Sequence, residues 1–577
     1  MYSRKPMTKM AKESQTKLSE KKEESKKPIA YELAEKHREI SVAEFFEKNR
    51  HLLGFDNKKK ALLTTVKEAV DNSLDACEDA NIAPELSVEL IDMKNDRFRI
   101  IIEDNGPGII KKNMPNIFAK LLYGSKFHTL KQSRGQQGIG ISAAALYGQL
   151  TTGKPIKIVS KISPDDPAHA YDLHINTQKN KPEIFKEDSK EWKKDHGTRI
   201  ELDLEASYQQ GGQSVDNYLK QTAIVNPHAT IIYTNPKAEQ LIFARATDQL
   251  PKHTKEIKPH PYGIEIGMLI KMMKWSEAKT LQSFFMNEFS RVSSAVSKEI
   301  CSKAGVLPST KPKSANRDQA ERLIAAIRDT KIIAPPTDCV SPIGEELLLK
   351  GLKKEINAEF YCSVTRSPSV YRGNPFQVEA AIAYGGELPG DKHVRIMRFA
   401  NRVPLLYQQG ACAITESISS TLWRNYGLSQ SQNSIPVGPA IIVVHVASVW
   451  APFTSEAKEA IAHYPEIIKE IKLALQEAGR KLAQYTKKKK RYSDELKKRS
   501  YIEKYMPYVG QALQQILDLK KSDEDQIENN LKEILEKKRG KLQKVEMENA
   551  DYDEEFARIG NEKEESGKTE EEAEENE

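Results

Sequence analysis

Lys67-Glu68-Ala69-Val70-Asp71-Asn72-Ser73-Leu74-Asp75-Ala76 is the stretch from which the rest of the chain is read. On a helix turning about 100° per residue, Glu68, Asn72 and Asp75 fall within roughly 60° of one another, with Asp71 just beside them. Leu63, Val66, Val70, Ser73, Leu74 and Cys77 occupy the opposite side. The pattern predicts a helix with one buried face and one face of clustered carboxylates and an amide. Standing alone, such a run is equally an ordinary surface helix with a solvated acidic face.

Two glycine-rich segments follow it. Ile100-Ile101-Ile102-Glu103-Asp104-Asn105-Gly106-Pro107-Gly108-Ile109 reads as a short apolar strand ending in a tight turn. Gly106 and Gly108 permit the bend and a close approach of backbone to a ligand. Arg134-Gly135-Gln136-Gln137-Gly138-Ile139-Gly140-Ile141-Ser142 then runs into the helix-prone Ala143-Ala144-Ala145-Leu146. Glycines ahead of a helix start leave amide N–H groups free to point at phosphate oxygens. Each segment alone is also compatible with an ordinary turn. The P-loop form is absent, and a Rossmann fingerprint requires a different strand–turn–helix context.

The ordered set is more specific than its parts. E-x-x-D-N, then D-N-G-P-G-I, then G-Q-Q-G-I-G, then His196-Gly197-Thr198 before the alternating Arg199-Ile200-Glu201-Leu202-Asp203-Leu204 resembles the GHKL ATPases. That resemblance implies a Bergerat-type α/β sandwich holding ATP between a helical layer and a mixed sheet.

At 577 residues the chain exceeds one compact core, and about three or four domains are expected. A hydrophobic content of 38% supports globular domains, while 30% charged residues and a mean hydropathy of −0.61 point to polar extensions. Cys77, Cys301, Cys339, Cys362 and Cys412 show no C-x-x-C spacing, so neither a zinc site nor a disulfide framework is indicated. There is no apolar run of about 18 residues and no signal-peptide pattern, and a cytoplasmic protein is expected.

Residues 1–38 carry eleven Lys/Arg against six Asp/Glu and read as a mobile basic arm or an idle solvated tail. Residues 39–250 hold the ATPase motifs, with strands expected at Ile156–Lys161 and Tyr171–Ile175. Between the glycine turns, Ile117 to Phe127 occupies the place of the nucleotide lid in the resembling superfamily. Prolines from Pro251 to Pro261 mark a boundary. A helical block follows over 251–335, at Thr280–Ala304 and Gln319–Ile327, broken at Gly305–Pro308; it resembles a helix–two-turn–helix module. Lys311, Lys313 and Arg317 could meet DNA phosphates or line a solvated loop.

Over 336–505 the texture changes to strands at Phe360–Thr365, Phe376–Tyr384, Val394–Phe399 and Ile441–Val449, then the Pro452–Ile461 loop and a long helix. This order resembles the transducer domain of GHKL proteins. A helical region is expected over 506–550. Residues 551–577 hold thirteen acidic and three basic side chains, so without them the formal charge of +7 becomes +17. A basic body attracts a polyanion such as DNA; the acidic tail either solubilises the chain or competes for that surface.

Pro259-His260-Pro261-Tyr262-Gly263, Arg398-Phe399-Ala400-Asn401-Arg402-Val403-Pro404-Leu405-Leu406-Tyr407 and the Pro452–Ile461 loop narrow the resemblance to the B subunits of type IIB DNA topoisomerases. It implies Glu68 as the general base for the attacking water and Asn72 as an oxygen ligand of Mg²⁺. Asp104 would accept from the adenine amino group, Gly108 would let the chain pass close, and Thr198 would support adenine recognition. Ser125 and Lys126 would face the nucleotide from the lid. Gly135, Gln136, Gln137, Gly138, Ile139, Gly140, Ile141 and Ser142 would wrap the phosphates, and Lys458 would reach the γ-phosphate from the transducer. Asp71 and Asp75 would support the others from behind.

The resemblance further implies a double-stranded DNA substrate and an ATP-dependent B–B dimer. It also implies an A2B2 heterotetramer with an A subunit that cleaves DNA, relaxing supercoils and decatenating DNA. This chain has no E-G-x-S-A/D-x-D Toprim pattern and is expected to lack strand-cleaving chemistry. A MutL-like mismatch-repair ATPase shares the early motifs but is not expected to carry the 259–263 and 398–407 stretches. A DNA-binding scaffold with a vestigial pocket is the non-enzymatic alternative. A histidine kinase is disfavoured, because no phosphoacceptor helix precedes the ATPase segment.

Overall fold

The computed structural model describes residues 29–34, 37–127, 129–135, 137–455, 457–518 and 520–539. Most of the basic arm, Gln136 and the acidic tail lie outside the described residues.

The N-terminal part runs α1 (Ile29–Ala34), α2 (Val42–Lys48), α3 (Lys58–Asp79), β1 (Glu85–Asp92), β2 (Arg97–Asp104), α4 (Met114–Ala119) and α5 (Gly140–Thr152). It continues through β3 (Ile156–Lys161), β4 (Ala168–Asn176), β5 (Lys181–Lys190), β6 (Gly197–Glu205), α6 (Val215–Val225), β7 (Thr230–Thr234) and β8 (Gln240–Phe243). The eight strands form one sheet ordered β5-β4-β3-β6-β2-β1-β7-β8. Only the β1–β7 pair is parallel.

The side chain of Asn57 caps α3 by accepting from the Lys60 amide. Leu62, Val66, Val70 and Leu74 then join Ile100, Ile102, Ile200 and Leu202 of the sheet in one apolar core. The buried face is the one the wheel indicates. The other face is not simply solvated, because Asp71 and Asp75 are buried as well.

Four helices follow: α7 (Ile266–Trp275), α8 (Leu281–Glu288), α9 (Ser294–Lys303) and α10 (Arg317–Asp329). They enclose their own core around Leu269, Phe284, Phe285, Ile300 and Leu323. The helical block read at Thr280–Ala304 holds two helices, α8 and α9. Phe289 is extended, and Ser293 restarts the helix by accepting from the Val296 amide. A serine cap carries no proline or glycine flag, so periodicity alone passes over it.

Next come α11 (Glu345–Glu355), β9 (Phe360–Thr365), β10 (Ser369–Tyr371), β11 (Asn374–Tyr384), β12 (Arg395–Ala400), β13 (Val403–Pro404), α12 (Ala413–Ser420) and β14 (Ala440–Ser448). In this second sheet β14 lies between antiparallel β11 and parallel β12 and is buried along its length. Helix α13 (Pro465–Leu517) covers β9: Tyr485 stacks on Phe360 at 4.6 Å, and Lys481 donates to the Ser363 carbonyl at 3.0 Å. The chain divides into a unit ending at Tyr485 and a second from Thr486. In the second unit α14 (Lys521–Arg539) follows the distal part of α13, and Met506 and Leu535 are buried. The chain is an α/β multidomain protein.

Inside the second sheet Glu379 of β11 stands opposite His445 of β14, both fully buried. The Arg402 amide donates to His445 Nε2 at 2.9 Å, so the ring proton sits on Nδ1 and is donated to Glu379 Oε2 at 2.7 Å. Glu379 also accepts from the amides of Ile343 (2.8 Å) and Gly344 (2.7 Å) and from Thr365 Oγ1 (2.9 Å). Burial pushes the carboxyl pKa up, but His445 and the two amides together outweigh it and hold the group below its ordinary value.

A depressed carboxylate contributes stability that is fully present above its unfolded-state pKa and is lost as pH falls through the folded-state value. Glu379→Ala leaves four buried donors facing a void and is expected to cost on the order of 3 kcal/mol or more in urea unfolding. Glu379→Gln is expected to flatten the acid limb of the stability–pH curve. An unchanged midpoint in the alanine variant would show that the network is not holding the sheet.

Candidate functional site

A cavity of about 590 Å³ opens between α3, the ends of β2 and β6, the 117–127 segment and the glycine segment before α5. At its floor Asp104 accepts from Ser73 Oγ at 2.7 Å, the Gly106 amide at 2.9 Å and the Thr198 amide at 3.0 Å. Burial raises its pKa, and those three donors oppose the rise. Asp104 and Thr198 are register partners across β2 and β6, which is why residues so distant in sequence meet. The Thr198 hydroxyl lies 3.0 Å from Ser160 Oγ, which itself donates to the Gly197 carbonyl. Gly108 has φ +71°, and a Cβ there would stand 2.0 Å from the Lys161 carbonyl oxygen.

On the wall, the carboxylates and amide of α3 divide. Glu68 and Asn72 line the cavity. Asp75 is held by Lys126 at 2.7 Å and Arg134 at 2.8 Å. Asp71 accepts from the Tyr218 hydroxyl at 2.9 Å, and burial pushes its pKa up to about 6. Lys67 is half-buried beside it with its pKa pushed down by desolvation, and donates to the Ala457 carbonyl at 3.2 Å.

Gly135, Gln137, Gly138, Ile139, Gly140 and Ile141 form the opposite wall. Helix α5 has no side-chain cap on its N-terminus, so its first amides stay available to an anion. Gly140 passes so close to Glu68 that a Cβ would fall 1.8 Å from Oε2. Gln136 lies outside the described residues. Ser142 is buried and donates to the Ile139 carbonyl at 2.9 Å, because it already stands in the first turn of α5 and faces the core. Ser125 and Lys126 line the cavity from the lid side, Lys126 as the partner of Asp75 and, at 3.4 Å, of Asp79.

Lys458 enters from the loop after β14. It is buried, with φ +53°, and its Nζ donates to the Arg134 carbonyl at 2.8 Å. Lys60 holds the loop against α3 by pairing with Glu459 at 2.5 Å, and Gln408 donates to the same carboxylate at 2.6 Å. Sequence reading missed Ser73 and Arg134. Ser73 sits on the apolar side of the wheel, and the small hydroxyl there was its only signal. Arg134 stands beside the glycine segment, and its pairing with Asp75 and Glu78 (2.6 Å) had none.

Residues 61–202 match the family described as histidine kinase-, DNA gyrase B-, and HSP90-like ATPase. Residues 335–498 match the topoisomerase VI B subunit transducer. The B subunit of type 2 DNA topoisomerase 6 from Methanococcoides burtonii is 53% identical over 492 residues, covering 85% of this chain and 79% of that one. Its counterpart from Archaeoglobus fulgidus is 48% identical, covering 85% and 82%. The chain belongs to the topoisomerase VI B-subunit family.

As a B subunit of the type IIB enzyme it carries an ATP-binding GHKL domain and a transducer, and the mismatch-repair alternative is not favoured. Among solved structures, the 43K ATPase domain of Thermus thermophilus gyrase B is similar at 11% identity and a TM-score of 0.36, covering 79% of this chain and 98% of that one. Among the described residues of this topoisomerase VI protein no helix is long and apolar enough to cross a membrane.

Gly108→Ala places a methyl group against the Lys161 carbonyl at a left-handed backbone position. The expected outcome is a loss on the order of 1–3 kcal/mol in urea unfolding. A wild-type midpoint would contradict the close passage of this turn over β3.

Proposed function

We propose that the cavity binds ATP with Mg²⁺ and that hydrolysis there drives DNA passage by an A2B2 topoisomerase. The single observation that carries the reading is Lys458, which comes from the β14 loop and is bonded at the root of the glycine segment on the cavity wall.

In this reading Glu68 accepts a proton from the attacking water, and Gly140 packed above it fixes where that water stands. Asp104, already oriented by three donors, keeps lone-pair capacity for the adenine amino group, with Thr198 beside it. The amides from Gly135 to Ile141 receive the phosphates, with Gln136 included by resemblance. Ser125 and Lys126 close over them. Asn72 is exposed in the cavity, and among the described residues no His/Cys/Asp/Glu group forms a metal cage. That donor set fits Mg²⁺, which is commonly held by one or two protein oxygens together with substrate phosphates. When bound, the ion neutralises charge on the transferring phosphoryl group.

We assign residues 39–250 to the ATPase domain, 251–335 to a helix–two-turn–helix domain, 336–505 to the transducer and 506–550 to a C-terminal helical region. ATP closes two B subunits into a dimer. Lys458 moves from the Arg134 carbonyl to the terminal phosphate, and the transducer passes that change to a DNA-cleaving A subunit on double-stranded DNA in the cytoplasm.

Glu68→Gln is expected to keep binding of a non-hydrolysable ATP analogue within a few-fold while turnover falls by about 10²–10⁴-fold. Turnover within twofold of the parent would remove Glu68 from the base role. Supercoil relaxation with the co-expressed A partner is expected to require ATP, with no DNA cleavage by this chain alone. Cleavage by the isolated chain would overturn the division of labour.

A further inference from the structure

The 398–407 stretch identifies the chain yet has no part in the ATP reading above. Its turn, Asn401-Arg402, joins β12 to β13 with φ +47° and +66°, consecutive left-handed positions of which Asn is the more tolerant. Asn401 is 5% exposed. Its Nδ2 donates to the Ser133 carbonyl at 3.1 Å and to the Ser448 carbonyl at 2.9 Å, while its Oδ1 accepts from the Ser448 amide at 2.8 Å.

Both partners are roots of the site. Ser133 precedes Arg134 and the glycine segment, and Ser448 ends β14, where the loop bearing Lys458 begins. The contact of Lys458 with Arg134 therefore closes a ring whose other fastening is the Asn401 amide. Gln132, one residue earlier, is fixed separately by Cys339 and Ser341. Beneath the turn, the Arg402 amide is pinned by His445, and the Arg402 carbonyl accepts from Asn226 at 3.4 Å. The turn is thus anchored in the sheet; the Arg402 guanidinium donates to the Pro342 carbonyl at 3.0 Å, and the Asn401 amide holds the loop that leads into the glycine segment.

We infer that Asn401 is a positioning residue for ATP turnover. Its amide sets the spacing between the glycine segment and the root of the lysine loop, so that Lys458 is aligned when nucleotide is bound. An aspartate would keep the bond from the Ser448 amide but turn a charge on two carbonyls. Glycine would keep the left-handed backbone and remove the clamp. This inference rests on the proposed role of Lys458.

The test measures ATP turnover of the full chain as kcat and KM per active site, the sites being counted by titration with a non-hydrolysable ATP analogue. The variants are Asn401→Gly, Asn401→Asp, Lys458→Ala and Asn401→Gly/Lys458→Ala, each with its thermal midpoint. Both Asn401 variants are expected to lower kcat per active site by about tenfold or more with KM within about threefold of wild type. The double variant is expected to be no slower than Lys458→Ala.

A purely structural role would lower the midpoint and the number of active sites but leave kcat per site within twofold of wild type, and that result overturns the inference. So does a double variant whose loss is the product of the two single losses. If the aspartate chain does not fold, the glycine chain decides alone, since Gly accepts φ +47° without strain. Wild-type turnover in Lys458→Ala refutes the Lys458 reading by itself, whatever Asn401 does.

Discussion

Among the hydrogen bonds that join the ATPase and transducer sides, one ends at the foot of the glycine segment: the ammonium of Lys458 donates to the Arg134 carbonyl. It draws a buried cation to the cavity wall, where a neutral carbonyl is a weaker partner than a phosphate oxygen would be. In the function proposed above, that lysine on a neutral acceptor, beside uncapped helix amides, is the two-state element that a bound phosphate would bias. The left-handed backbone at Lys458 and the grip of Lys60 on Glu459 keep it aimed there.

Behind that contact the protein invests in buried polar pairing. Arg134 joins Asp75, Glu78 and Asn226, and Glu78 also meets His228 at 2.7 Å. Burial lowers the His228 pKa despite that carboxylate, and Glu78 is held well below the usual range as Arg134 and His228 outweigh its desolvation. Such clusters are costly to break because a lone charge would remain in a dry interior. They tie α3, the glycine segment and α6 into one rigid support, and Asn401 and Arg402 extend that support into the second sheet.

Much of this was legible in the residues. Apolar spacing placed α3, and alternation placed β3 and β9 at their observed bounds. Among the described residues, the ordered motifs named those that the structure gathers around one cavity, apart from Ser142, whose side chain faces the core. What stayed hidden is what distant pairing decides. The burial of Asp71 depends on Tyr218, and that of Asp75 on Lys126 and Arg134; no periodicity announces either. The break at Phe289–Ser293 was missed because a serine cap looks like any surface serine. Glu379 and His445 read as ordinary strand residues until β11 and β14 set them opposite each other.

The coupling claim is tested most directly by hydrogen–deuterium exchange of the full chain with and without a non-hydrolysable ATP analogue, in the parent and in Lys458→Ala. The account predicts that nucleotide slows exchange in residues 449–461 and at the 401–402 turn of the parent. In the lysine variant that protection should be confined to the ATPase side. Equal protection of the transducer segments in both chains would contradict it.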